Sequence, residues 1–226
     1  DAPVAPATQK AIFGFGEVAG GTKKSLTNLV SSNGVVATDT TGVGTARAAL
    51  AAAGYGFDKA IFGFGTTGSI TSLTNLVSNQ GVVANDTTGV GTARYYLAAS
   101  SYGGDKAIFG YGYTGSVSSL SNLVSNSGVV ASDTTGVGSA RYFTAAASYG
   151  GDKGIFGYGD LPGRTAITNL VSNQGIVSAN VTGVGTVRDG LSAAGYGGDK
   201  AIFGYGNLPN RTAITNLVSN TGVVAS

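Results

Sequence analysis

One eight-residue motif recurs along the chain at almost constant spacing, and this repetition limits the available folds more than any other feature. The motif reads DKAIFGYG at 199–206, and close copies occupy 58–65 (DKAIFGFG), 105–112 (DKAIFGYG), 152–159 (DKGIFGYG) and 9–16 (QKAIFGFG). A period of roughly 20–50 residues is typical of solenoids, propellers and other arrays of one structural unit. The sequence is therefore best analysed as five repeated units.

The period is 47 residues and persists outside the motif. Asparagines recur at this interval from Asn28 to Asn216, and arginines recur from Arg47 to Arg188. The first loop, residues 17–25, is two residues longer than its counterparts. We treat residues 1–226 as a single domain of five units, at approximately 1–42 (unit 1), 43–89 (unit 2), 90–136 (unit 3), 137–183 (unit 4) and 184–226 (unit 5).

Each unit contains four short segments that are typical of β-strands. In unit 3 they are residues 95–102, 106–111, 120–125 and 128–131, and clusters of Gly, Ser, Asn and Asp separate them. No segment shows a sustained helical period. Four strands in 47 residues match the size of a propeller blade. The sequence therefore predicts an all-β fold, a five-bladed β-propeller with four antiparallel strands per blade.

The distribution of side-chain size predicts how the blades are arranged. The first strand of each unit is rich in small residues, as in Leu97–Ser101, so we expect it to line the central channel. Larger residues are expected to fill the layers between blades, which in unit 3 are Ile108, Phe109, Tyr111, Leu120, Leu123, Val124 and Val129. Ala2–Ala5 would take the first-strand position of unit 1. We expect the ring to close there, at its weakest interface.

Composition excludes several classes of function. Only 11% of the residues are charged, against roughly 25% in an ordinary globular chain, and the net charge is +2. No basic run extends beyond Lys23-Lys24, so nucleic acid is not an expected partner. No apolar run approaches the roughly 20 residues of a membrane-spanning helix, so membrane insertion is not expected. The absence of Cys and His removes thiol nucleophiles, imidazole bases and the usual zinc ligands. We expect no cofactor, no metal and no enzymatic activity.

The repeat resembles the kelch unit of β-propellers. Arg94, followed by Ala107–Gly112 (AIFGYG), matches the arginine and the hydrophobic second strand of a kelch unit in order and spacing, once per repeat. The glycine pair of that family is Gly-Tyr-Gly or Gly-Phe-Gly here, and its tryptophan is missing. The motifs AIFGYG and TGVGTAR are also similar in wording to repeat proteins of marine and environmental phages. The first resemblance implies a propeller, and the second implies a virion or appendage location.

The loops between the second and third strands differ most among the units. Variable loops on a rigid scaffold are common places for binding residues. In the last two units these loops share Leu-Pro-(Gly/Asn)-Arg-Thr, which places Arg164 and Arg211 at equivalent positions. Tyr113, Asp160 and Asn207 begin the loops of units 3, 4 and 5. These five residues are candidates for ligand binding, with plain surface variation as the alternative.

Residues that repeat in the units form a second group of candidates. The tyrosines at the ends of the first strands either stack on sugars or belong to the core; they are Tyr55, Tyr102, Tyr149 and Tyr196. The repeated arginines are interpreted as buried donors to backbone carbonyls rather than as an anion site. The aspartates of the DTTG motif, Asp39, Asp86 and Asp133, are replaced by Asn180 in unit 4, so we expect local Asx turns.

These observations favour a non-enzymatic propeller module on a virion or another extracellular surface. Its expected role is structural, with weak multivalent adhesion to cell-surface glycans or to another surface protein, because several similar sites combine through effective concentration. A dedicated five-site lectin is the alternative, and an engineered repeat scaffold is a third interpretation. The sequence contains no Met, so we expect that a leader was removed or that the chain is a piece of a longer protein.

Overall fold

The computed structural model describes residues 11–226, and in them the chain is all-β, as the sequence predicts. The strands of unit 1 are β1 (Ala11–Glu17) and β2 (Lys23–Val30), and those of unit 2 are β3 (Ala51–Tyr55), β4 (Lys59–Gly63) and β5 (Thr74–Val77). Unit 3 has β6 (Ala98–Tyr102), β7 (Lys106–Gly110) and β8 (Ser121–Val124), and unit 4 has β9 (Ala145–Tyr149), β10 (Lys153–Asp160) and β11 (Arg164–Val171). Unit 5 has β12 (Ser192–Tyr196), β13 (Lys200–Gly204), β14 (Asn207–Leu208), β15 (Asn210–Arg211) and β16 (Thr215–Val218). Residues 11–226 contain no helix long and apolar enough to cross a membrane.

Each unit from 2 to 5 forms one antiparallel sheet of three strands in chain order, with the second strand in the middle. The described part of unit 1 contributes the two-stranded sheet β1–β2, and β14–β15 is a two-residue ribbon. In unit 3, Ala98 pairs with Gly110 and Tyr102 with Lys106, while Ala107 pairs with Val124. Unit 2 has the same register at positions 47 residues earlier, so the sequence repeat is also a structural repeat.

The predicted fourth strand is not a continuous strand in this structure. In unit 3 it pairs with β8 through the isolated bridge Val124–Val130, and Thr134, beyond the predicted strand, makes a second isolated bridge to Ser121. Between the two bridges, the side-chain amide of Asn122 donates to the carbonyl of Ala131 at 3.0 Å. The prediction that Val129 fills the layer between units is wrong, since Val129 is 65% exposed. Its neighbour Val130 is buried instead.

The predicted first strand is also shorter than expected. Residues 95–97 lie outside β6 because Tyr96 adopts a left-handed backbone conformation, with φ of 53°. The equivalent residues Ala49 and Phe143 have φ of 54° and 52°. Non-glycine residues adopt this conformation only rarely, so its repetition shows that the chain bends in the same way before the first strands of units 2, 3 and 4.

Backbone hydrogen bonds at this bend join units 2 to 5 in series. Tyr96 N donates to Ala49 O at 2.9 Å, Phe143 N to Tyr96 O at 3.0 Å, and Gly190 N to Phe143 O at 3.2 Å. These four residues line a cavity of about 180 Å³. The first strands β3, β6, β9 and β12 follow one another as spatial neighbours.

The glycine-aromatic-glycine sequence that ends the second strand creates the contact between units. A Cβ at Gly110 would lie 2.6 Å from Cζ of Phe156 in the next unit, so the glycine leaves the space for that ring. Tyr111 has φ of 65°, and its ring meets Phe156 edge to face at 5.2 Å between centroids. Gly112 has φ of 107°, where a Cβ would lie 2.9 Å from Tyr95 O. Both glycines are therefore required by close packing.

The repeated arginines are fully buried between units, which confirms their interpretation as internal donors. Arg94 Nε donates to Tyr111 O at 2.9 Å, and its Nη2 donates to Asn122 Oδ1 at 2.5 Å. The guanidinium also lies over the ring of Phe64 in the preceding unit, 4.4 Å from its centroid. Burial lowers the pKa of Arg94 to about 10, so it remains charged at neutral pH.

The aspartates of the DTTG motif do not form the predicted Asx turns in units 2 and 3. Asp86 instead accepts from the backbone N of Thr45 at 3.0 Å and from Asn75 Nδ2 at 2.9 Å. Burial alone would raise the pKa of Asp86, but hydrogen bonds from Thr45 and Asn75 outweigh it, and the pKa is lowered. Asp86 therefore connects the beginning of unit 2, at Thr45, to the end of the same unit, 41 residues later in the sequence.

The contact that would close a ring between units 5 and 1 is not formed within residues 11–226. Phe13, the counterpart of Phe109, is 62% exposed, and Tyr205, the counterpart of Tyr111, is 63% exposed. The predicted position of Ala2–Ala5 in the first strand of unit 1 lies outside the described residues.

Candidate functional site

The variable loop residues and the residues after each repeated arginine face each other as antiparallel bridge partners. The pairs are Ala48–Thr66 in unit 2, Tyr95–Tyr113 in unit 3, Tyr142–Asp160 in unit 4 and Asp189–Asn207 in unit 5. The scaffold is thus the same in the four units, while the side chains change from small to aromatic to acidic. One face of the molecule is therefore chemically asymmetric.

Units 3 and 4 place five aromatic rings in one cluster on this face. The Tyr96 ring lies 4.0 Å from that of Phe143 and 4.6 Å from that of Tyr95, measured between centroids. Tyr113 meets Tyr95 at 5.7 Å and Tyr142 at 5.5 Å, so the rings form a continuous surface. Tyr96 is 37% exposed, and the other four are half-buried.

Polar side chains of units 4 and 5 continue the aromatic cluster. Asp189 accepts from Arg164 Nε at 3.1 Å and from Asn207 Nδ2 at 3.1 Å, and it is buried. Asp160 accepts from the backbone N of Gly163 at 2.9 Å. The pKa of the Tyr142 hydroxyl is raised by burial and then by the negative charges of Asp160 and Asp189. Both carboxylates therefore act electrostatically on the edge of the aromatic cluster.

We call this combined surface the rim site. It comprises Tyr95, Tyr96, Tyr113, Tyr142, Phe143, Asp160, Arg164, Asp189 and Asn207. Aromatic rings present apolar faces for stacking, and the carboxylates, amide and guanidinium provide acceptors and donors at the border. The arrangement suits a ligand with both an apolar face and hydroxyl groups.

Four of the predicted site residues come together in the rim site: Tyr113, Asp160, Arg164 and Asn207. Arg211 lies in β15 as the strand partner of Asn207, but its side chain is exposed and, unlike that of Arg164, makes no hydrogen bond to Asp189. The repeated tyrosines Tyr55, Tyr102 and Tyr149 are at most 4% exposed and pack against glycines of the adjacent unit, so they are core residues rather than surface platforms. Tyr196 is 40% exposed at the open face of unit 5.

The half of the rim site that follows the repeated arginines was not predicted from the sequence. The missed residues are Tyr95, Tyr96, Tyr142, Phe143 and Asp189. A signal was present, because the two residues after the arginine read Ala-Ala, Tyr-Tyr, Tyr-Phe and Asp-Gly in units 2 to 5. These two positions vary between units as strongly as the loops do, within an otherwise nearly invariant repeat.

No three Asp or Glu side chains in residues 11–226 form a group that would hold a metal ion. No protein-family model matches the chain, and no curated protein sequence matches it.

Proposed function

We propose that the chain is a non-enzymatic glycan-binding module built from five four-stranded blades of a β-propeller. The repeated sheets, the backbone contacts that join units 2 to 5 in series and the bridges from each third strand to a fourth segment support the blade assignment. A location on a virion or another extracellular surface rests on the similarity of the repeat to phage proteins.

The observation that carries the binding function is the continuity of the aromatic cluster with the polar border of the rim site. Sugar rings have an apolar face that stacks on Tyr and Phe, and their hydroxyl groups bind carboxylate, amide and guanidinium groups. Arg164 offsets the charge of Asp189, so the border keeps the negative charge of Asp160, which would repel an anionic sugar. The rim site therefore fits a neutral glycan best.

Binding suits the rim site better than catalysis does. Asp189 is held by Arg164 and Asn207, and Asp160 is held by the backbone of its own loop. Carboxylates fixed in this way orient neighbouring groups, whereas a general acid or base must exchange a proton with the substrate.

The alternative, a lectin with one equivalent sugar site per unit, requires repeated exposed residues. Tyr196 is exposed, but its counterparts are buried in units 2 to 4. One site per chain is therefore the proposed stoichiometry. Multivalent adhesion then requires several chains on one surface.

A glycan-array screen tests the proposal, with wild type beside the double variant Tyr95→Ala/Tyr113→Thr. The variant gives unit 3 the pair that unit 2 already holds as Ala48 and Thr66, so the bridge and the fold are expected to persist. We expect saturable binding to one class of neutral glycan, weakened at least about tenfold in the variant, or ~1.4 kcal/mol.

Arg211→Ala is the matched control, because Arg211 occupies the loop position equivalent to Arg164, yet its exposed side chain makes no hydrogen bond to its strand partner Asn207 or to another described rim-site residue. It should bind like wild type. Absence of glycan binding by folded wild type, or unchanged binding by the double variant, would overturn the assignment.

A further inference from the structure

The hairpin of unit 4 carries a carboxylate and a guanidinium in facing positions at the rim site. Asp160, the last residue of β10, is the strand partner of Arg164, the first residue of β11. The equivalent facing pairs of the other units are Glu17–Lys23, Thr66–Ile70, Tyr113–Val117 and Asn207–Arg211. Opposite charges therefore face each other only in units 1 and 4 of the described chain.

Units 1 and 4 use these opposite charges differently. In unit 1, Lys23 Nζ lies 3.5 Å from Glu17 Oε2, so the two charges bind each other. In unit 4, no ion pair joins Asp160 to Arg164. The charged pair of unit 4 therefore remains open to a third group.

Other contacts hold both side chains of the unit 4 pair in place. Asp160 Oδ1 accepts from Gly163 N at 2.9 Å, and Arg164 Nε donates to Asp189 Oδ2 at 3.1 Å. Within residues 11–226, Asp160 Oδ2 and the two Nη groups of Arg164 have no hydrogen-bond partner. Facing residues of an antiparallel pair have Cβ atoms roughly 4.5–5.5 Å apart. One fixed acceptor and two fixed donors are thus available side by side.

This charged pair borders the aromatic cluster of the rim site. Asp160 and Tyr142 are bridge partners, with backbone hydrogen bonds of 2.9 and 3.1 Å. Burial raises the pKa of the Tyr142 hydroxyl, and the negative charge of Asp160 raises it further. The Tyr142 ring lies 4.7 Å from that of Phe143 and 5.5 Å from that of Tyr113, measured between centroids. A ligand stacked on these rings therefore meets Asp160 and Arg164 at its edge.

Two opposite charges at one edge favour a neutral group that both donates and accepts hydrogen bonds. An anion is attracted by Arg164 but repelled by Asp160, and a cation experiences the reverse. A hydroxyl group accepts from a guanidinium and donates to a carboxylate at the same time. The planar guanidinium also presents its donors as a fork that binds two neighbouring oxygen atoms. Two hydroxyl groups on adjacent carbon atoms match this set of donors and acceptors.

We propose that Asp160 and Arg164 determine the specificity of the rim site by recognising a vicinal diol, two free hydroxyl groups on adjacent ring carbons of a neutral sugar. This inference rests on the proposed glycan binding and narrows its substrate class. The two Nη groups of Arg164 each donate to one hydroxyl oxygen, and one hydroxyl donates to Asp160 Oδ2. A methylated sugar keeps its apolar face and its oxygen acceptors but lacks the proton that Asp160 accepts.

Titration of wild type and Asp160→Asn with defined sugars tests the proposal. The probes are the methyl glycosides of glucose, galactose and mannose and their per-O-methylated forms, and binding is followed through the aromatic proton resonances of the protein. We expect wild type to bind at least one methyl glycoside, and to bind its per-O-methylated form about tenfold more weakly, because a hydrogen bond to a charged group is lost.

Asp160→Asn should remove this preference. The asparagine keeps a side-chain oxygen for Gly163 N, so the loop is expected to persist, but an amide NH₂ replaces the acceptor for the hydroxyl proton. The variant should therefore bind both forms of the sugar with similar affinity. A merely structural effect of the substitution would weaken both forms by the same factor and leave their ratio unchanged.

Arg164→Lys tests the guanidinium fork, since lysine keeps the positive charge beside Asp189 but provides a single ammonium. It should weaken binding of the methyl glycoside about tenfold, through the loss of one charged hydrogen bond. Arg211→Lys, at the equivalent position of unit 5, is the control and should bind like wild type.

The outcomes separate this inference from the proposed function. Wild type that binds glycans but none of the three methyl glycosides, or that binds both forms equally, would overturn the diol assignment and leave glycan binding intact. A preference that persists unchanged in Asp160→Asn would do the same. Folded wild type that binds no glycan at all would overturn both.

Discussion

Replacing Gly110 with alanine probes the unit-to-unit interface directly. The new Cβ would lie 2.6 Å from Cζ of Phe156 and 3.0 and 3.1 Å from its two Cε atoms. Ordinary carbon contacts are about 3.5–4.0 Å, so the ring must move by roughly 1 Å. Phe156 is fully buried and its own unit holds it in place. Overpacking of this kind typically costs about 1–3 kcal/mol.

Gly204→Ala is the matched control for this substitution. Gly110 and Gly204 occupy equivalent strand positions, but a Cβ at Gly204 meets only Thr215, at 3.5 Å. Both substitutions restrict the unfolded chain equally, which favours alanine by roughly 0.4–1 kcal/mol. This contribution cancels when the two variants are compared, so their difference in free energy of unfolding isolates the steric cost.

Urea denaturation at low protein concentration gives this difference. We expect Gly204→Ala to be as stable as wild type or slightly more stable, and Gly110→Ala to be about 1–3 kcal/mol less stable than Gly204→Ala. Equal midpoints for the two variants would refute the reasoning, because they would mean that Phe156 does not require the space above Gly110.

Three further predictions concern other contacts of the repeat. Phe109→Ala should lower the free energy of unfolding by about 3–5 kcal/mol in a denaturant titration, because Phe109 is fully buried. Phe13→Ala, at an exposed position, should change it little. Equal losses in the two variants would contradict the difference in burial between these phenylalanines. In unit 3, Arg94 Nη1 lies 3.7 Å from Asp133 Oδ1, and Asn180→Asp gives unit 4 the same carboxylate. The substitution should stabilise by about 1 kcal/mol at pH 7, so a lower melting temperature would count against a stabilising arginine–carboxylate pair. The folded-state pKa of Asp86 lies below its unfolded value of about 4, so its stabilisation is complete above that pH and is lost as pH falls through the lower value. Asp86→Asn should therefore flatten the acid limb of a stability-versus-pH curve, and an unchanged acid limb would show that the hydrogen bonds of Asp86 contribute nothing.

The sequence predicts most of the scaffold because the repeat carries strong local signals. The all-β class, the positions of the second and third strands of unit 3 and the burial of the arginines follow from the 47-residue period, from local residue patterns and from the chemistry of the guanidinium group. The fourth segment was predicted less well. Val129 was expected in the core, but Val129 faces solvent and Val130 faces the core. A run of two valines does not specify which of them is buried.

The contacts between residues that are distant in the sequence could not be predicted from local residue patterns. The hydrogen bond from Thr45 to Asp86 joins residues 41 positions apart, and a local Asx turn explains the same residue types equally well. The rim site likewise depends on bridges such as Tyr142–Asp160. This bridge joins a variable position before β9 to a variable position at the end of β10. Only the folded sheet shows that the loops and the residues after the arginines form one surface.

The stoichiometry of glycan binding tests the central claim most directly. Isothermal titration calorimetry with the glycan selected by the array counts the sites on each folded chain. The rim site exists once, because the side chains of the bridge pairs differ between units. We predict one site per chain, lost in Tyr95→Ala/Tyr113→Thr. Four or five equivalent sites that survive this substitution would contradict the account and indicate a repeated lectin site instead.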